Sequence, residues 1–126
     1  MDELSVSLEA RRLSKLVGKE QIPVPLELYL EAIKHRAGDV LLRYDNTLAD
    51  DEAGHTFNIA DKTCIVINQN DDPERQRFTA CHEMAHIVLR LSTEHSGPKS
   101  QCARRSKNEM LCDMFASELL LPAHLL

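Results

Sequence analysis

The chain has no tryptophan, and three Phe and two Tyr are its only large aromatic residues. Its core must therefore be built from Leu, Ile, Val, Ala and Met, and an apolar fraction of 43% is enough for that. No apolar run approaches the roughly 18 residues that a membrane helix needs. The first residues, MDELSVSLEARR, put acids first and lack an apolar centre, so they do not read as a signal peptide. There is no cationic surplus either: 15 Lys and Arg against 20 Asp and Glu gives 15 − 20 = −5. A non-specific nucleic-acid binder needs the opposite balance, and no direct contact with nucleic acid is expected. The one basic run, 99-KSQCARRSK-107, reads as a solvated loop. The four cysteines, Cys64, Cys81, Cys102 and Cys112, contain no CxxC pair. With no export signal, all four read as reduced thiols of a cytoplasmic protein, Cys102 being the most exposed.

What is present is enough for one α+β domain over residues 1–126. Apolar residues at Leu4, Leu8, Leu13, Leu16 and Val17 have helical spacing, and Gly18 ends the helix, which occupies the first 20 residues. After 21-QIPVP-25, Pro25 suits the first turn of a second helix that runs to Gly38. Three extended segments follow: 39-DVLLRYD-45, 56-TFNIA-60 and 63-TCIVIN-68. Asp61-Lys62 is a candidate hairpin turn between the last two. The unbroken apolar run of 63–68 implies that both its faces are partly covered. Asp72-Pro73-Glu74 then opens a helix strongly: Asp caps free N–H groups, Pro fits the first turn, and Glu favours the positive end of the dipole. This helix should run to about Leu91, with Phe78, Cys81, Ala85, Val88 and Leu89 as its apolar stripe. A polar loop with Gly97-Pro98 leads to a last helix over 107–120, which Pro122 stops. The apolar ending 123-AHLL-126 predicts that the natural chain continues beyond Leu126.

The chemistry sits in 78-FTACHEMAHIVLRL-91. His82 and His86 are four apart, so both imidazoles lie on one helix face and can meet a single metal ion. Glu83 lies about 100° further round the helix. It is offset for ligation and well placed to reach a water on that ion, which makes it the candidate catalytic base. A catalytic zinc takes three protein ligands and keeps one position open. In the last helix, Glu109 and Asp113 share one face. If that helix packs on the HExxH helix, Glu109 supplies the third ligand. Asp113 then accepts a hydrogen bond from the far nitrogen of one histidine and fixes its tautomer. Glu109 also completes a capping box with Ser106, a purely structural alternative. The HExxH upstream and Asp113 downstream favour the ligand role. His95 reads as a solvated loop residue that could otherwise donate to an oxyanion. Cys102 and Cys112 could form a thiolate-rich structural site with His82, but their spacings match no such pattern, and Cys112 in the last helix reads as plain core. Tyr44, His35 and His55 read as structural or exposed.

Three blocks together resemble the ImmA/IrrE family of metallopeptidases: Ile65-Val66-Ile67-Asn68, 75-RQRFTACHEMAH-86 and 109-EMLCDMFASELLLP-122. The resemblance spans roughly residues 9–123. It implies a zincin-like α+β fold, with several helices on a small, mostly antiparallel three-stranded sheet. It also implies Zn2+ on His82, His86 and Glu109, with Glu83 as base, in an endopeptidase that cleaves or inactivates a helix-turn-helix repressor. Departures are small for small: Ala85 replaces the family's usual Gly, and Cys81 and Cys112 each replace an Ala. Leu111 stands where many members have a second Glu, and Asp113 where they often have Asn. A strand edge, 63-TCIVIN-68, is the expected place for an extended substrate to pair. The rival readings are a non-cleaving zinc module that sequesters a transcription factor, a zinc hydrolase of another bond, and a metal-free helical protein.

Overall fold

The computed structural model describes residues 2–18, 24–90 and 107–120. The first helix, α1 (Glu3–Val17), is capped by Asp2, whose side chain accepts from the Ser5 N–H at 2.8 Å. Gly18 ends it in the left-handed conformation, φ 70°, where a Cβ would be strained. Helix α2 (Leu26–Ala37) starts one residue after Pro25. The proline is extended, not helical, and its carbonyl accepts from the Leu28 N–H. Buried Leu26, Tyr29, Leu30 and Ile33 give α2 an inner face at intervals of three and four.

Strands β1 (Val40–Asp45), β2 (Gly54–Ile59) and β3 (Lys62–Asn68) form one sheet in the order β1-β3-β2. β3 is antiparallel to β2 and parallel to β1. The sheet is thus mixed, where a mostly antiparallel one was expected. The 46–53 connection carries the chain from one edge to the other, and the hairpin return then fills the gap between them. β3 is therefore the central strand, and the expectation that 63–68 forms an exposed edge is wrong. Its backbone is paired on both sides, and Cys64 through Asn68 are all buried. The continuous apolar run reflects this central place. The hairpin turn also falls one residue earlier than expected. Lys62 pairs with Ile59, leaving Ala60-Asp61 as the turn, with Ala60 in the left-handed region at φ 53°.

Helix α3 (Pro73–Leu89) begins as expected: Asp72 accepts from the Arg75 N–H at 2.8 Å. It stops two residues short of Leu91, where Arg90 turns left-handed and its N–H reaches the His86 and Ile87 carbonyls. α3 lies on β3 and β2 and is covered by α2 and by α4 (Lys107–Leu120). α1 packs on the far side of α4. Between sheet and helices α3 has no solvent face over Thr79–His86, where every residue is buried. The expected stripe holds only in part, since Ala80 and Met84 are as buried as Cys81 and Ala85. Tyr29, Phe115, Leu13, Ile33, Ile65, Ile67, Met84 and Leu119 fill the core, so aliphatic side chains do most of the work that few aromatics leave. Among the described residues, no helix is long and apolar enough to cross a membrane.

Candidate metal centre

His82 and His86 stand one turn apart in the buried middle of α3, ring centroids 5.2 Å apart and steeply inclined. From α4, Glu109 reaches between them. Its Oε2 lies 2.8 Å from His86 Nε2 and its Oε1 3.6 Å from His82 Nε2. One helical turn further on, Asp113 Oδ1 lies 2.7 Å from His82 Nδ1. A carboxylate can only accept, so the Nδ1–H donates, and Nε2 is the nitrogen that faces Glu109. Burial is the largest single influence on His82 and opposes its charge. The bonds to Asp113 and Glu109, with the negative charge of Glu83 and Asp113, together outweigh it and hold the pKa above the ordinary histidine value.

Burying two imidazoles and two carboxylates is costly unless they are paired or hold an ion. Here the donors converge. His82, Glu83 and His86 form one buried group whose possible ligand atoms lie within 4.8 Å of one another, and His86, Glu109 and Cys112 form a second. Two imidazoles and a carboxylate are the donor set that a divalent metal with an open position takes, so the residues fit such an ion.

Glu83 also has a partner on the sheet. It is 1% exposed, and Thr56 Oγ1 donates to its Oε1 at 2.6 Å. Thr56 belongs to β2, so an edge strand touches the candidate base directly. Sequence reasoning missed it, because the contact exists only once the hairpin register is set. A glycine lies where β2 runs tight against both β3 and α3. A Cβ on Gly54 would lie 2.4 Å from the Val66 carbonyl oxygen and 2.9 Å from Thr79 Cγ2, so only glycine lets the strand in.

Asn68, the last residue of β3, holds the approach to α3. Its Nδ2 donates to the Ala49 and Glu52 carbonyls and its Oδ1 accepts from the Asn70 N–H. Gln76, in the first turns of α3, donates to the Asn68 and Gln69 carbonyls. Arg77 donates to the Val24 carbonyl at 2.6 Å, tying α3 to the start of α2.

Cys64, Cys81 and Cys112 are buried thiols, none in a disulfide. Burial pushes the Cys81 thiol up to about 12, against a smaller opposing pull from Arg77. Tyr44 is exposed, as is His35, and His55 meets Glu52 at 3.2 Å, away from the centre. His95, Cys102, Ser106 with its capping box, Gly97-Pro98, Pro122 and 123–126 lie outside the described residues.

The sequence model of the IrrE N-terminal-like domain, Peptidase_M78, matches residues 35–126. The chain belongs to this metalloprotease family. A relative of the Peptidase_M78 domain is the radiation response metalloprotease IrrE of Deinococcus deserti, 37% identical over 70 residues. That match covers 49% of this chain and 24% of the relative, so the chain spans about a quarter of the relative's length. In this IrrE-like domain the HExxH cluster is the buried His82-Glu83-His86 group of α3, with Glu109 beside it on α4.

Proposed function

We propose that this domain is a zinc-dependent endopeptidase in which His82, His86 and Glu109 hold Zn2+ and Glu83 is the catalytic base. The observation that carries this is the meeting of two imidazoles from α3 with one carboxylate from α4, both helices being amply buried there. When bound, a zinc ion acidifies a coordinated water and polarises the scissile carbonyl. Asp113 holds the His82 tautomer whose Nε2 would ligate. Glu83, steadied by the Thr56 hydroxyl, takes the proton of the attacking water and passes it to the leaving amine. β2 is the sheet edge on this side, so an extended substrate adding to it would run past the base. A reducing, cytoplasmic setting is part of this reading, since a buried thiol, Cys112, sits among the ligands. A helix-turn-helix repressor is the substrate that the family resemblance nominates.

The test uses wild type and Glu83→Gln against a repressor encoded beside this gene, with metal content measured in parallel. Wild type should carry one zinc and cut; Glu83→Gln should keep the zinc and lose cutting by about 10²–10⁴-fold. Undiminished cutting by the variant would sink the base assignment. Zinc with repressor binding but no cutting by wild type would establish the sequestering module instead.

A further inference from the structure

Cys112 follows Glu109 by three residues and so lies on the same face of α4. Its side chain is 0% exposed. Its Sγ, a His86 nitrogen and a Glu109 oxygen all lie within 4.8 Å of one another. An apolar packing role explains why a small side chain is buried here. It does not explain why that side chain is a metal-binding one placed beside two polar donors. The alanine to which this position corresponds in the family resemblance would fill the space without offering a donor.

We infer that Cys112 is a fourth protein donor to the centre, giving it a sulfur-containing set, His86, Glu109 and Cys112, that takes thiophilic divalent cations. The inference rests on the metal reading of the site. Binding forms one metal–sulfur bond and releases the thiol proton to solvent, with no change of oxidation state. Thiolate is a softer ligand than imidazole or carboxylate and shifts preference towards ions such as Cd2+. Three protein ligands leave a tetrahedral centre open, and a fourth closes it. With Cys112 bound the four residues would form a closed centre; without it, His82, His86 and Glu109 would leave one position open.

Co2+ titration of the metal-stripped chain tests this, because cobalt reports its ligands in absorption. Any protein-bound Co2+ in a four-coordinate site gives visible ligand-field bands, and a thiolate ligand adds a sulfur-to-cobalt charge-transfer band in the near ultraviolet. Wild type should show both. Cys112→Ala and Cys112→Ser should keep the visible bands and lose the near-ultraviolet one. In the same variants Cd2+ affinity should fall roughly tenfold or more relative to Zn2+ affinity. Visible bands without charge transfer in wild type, or charge transfer that survives in both variants, overturns the assignment while leaving the metal centre standing. Absence of both bands in wild type overturns the metal reading itself and this inference with it. Circular dichroism confirms that the variants fold; should they not, the wild-type spectrum decides.

Discussion

Helices α1 and α3 invert the usual rule. α1 leaves Leu4 68%, Leu8 48% and Leu16 63% exposed, while α3 buries Thr79, His82, Glu83 and His86. Scattered surface leucines are ordinary, because a small protein lacks the polar surface to cover itself. A run of buried polar groups is not ordinary, since each must be matched by a partner or an ion. What separates the two helices is position. α1 lies outermost against α4, and α3 is enclosed by the sheet, α2 and α4. Mean residue hydrophobicity barely separates the two helices, so the informative one is the helix whose buried residues are polar.

That inversion can be broken at several points. Phe115, fully buried on the helix that touches both α1 and α3, should matter most to the fold. Phe115→Ala is expected to lower unfolding stability by about 3–5 kcal/mol, measured in urea. Next is Glu109→Ala, which on the proposed reading removes a ligand and should weaken zinc on the order of a hundredfold or more, about 2.7 kcal/mol by competition with a chelator. Unchanged zinc with a less stable helix would return Glu109 to the capping role. Asp113→Asn keeps the shape but not the charge beside His82, and should cost roughly 10–100-fold in zinc affinity or activity. On the other side, Leu8→Gln should move stability by no more than about 0.5 kcal/mol. A large loss there would mean that α1 is not the ordinary surface helix its exposure implies.

The parts of the fold that are written locally were legible. Asp72-Pro73 marks the start of α3, Gly18 the end of α1, and the four-residue spacings of His82 with His86 and of Glu109 with Asp113 put each pair on one helix face. Features that depend on pairing distant segments were not. The parallel match of β1 to β3 follows from a crossover whose path no residue of 46–53 announces. The continuous apolar run of 63–68 did carry the sign of a central strand, and treating it as an edge set that sign aside. Thr56 escaped notice because a threonine in a strand is unremarkable until the hairpin register brings it to Glu83. Cys112 read as core because burial is the common fate of a thiol, and its neighbours on α3 are 26 or more residues away in the chain.

A buried hydrogen bond ties α2 to the last turn of α4. The Tyr29 hydroxyl on α2 donates to the Leu119 carbonyl in the last turn of α4, at 2.9 Å and across 90 residues. A helix end leaves such carbonyls without an intrahelical partner, so this contact fixes where α4 stops and lies. It also sets an order of events during synthesis. α1, α2, the sheet and the histidine helix emerge from the ribosome first, carrying His82 and His86 but not Glu109. Loop closure across the segment between α3 and α4 is needed before Glu109 meets them. A nascent chain lacking α4 has the HExxH motif but not the carboxylate that meets its histidines, so on the proposed reading capture of a metal ion would be a late step of maturation.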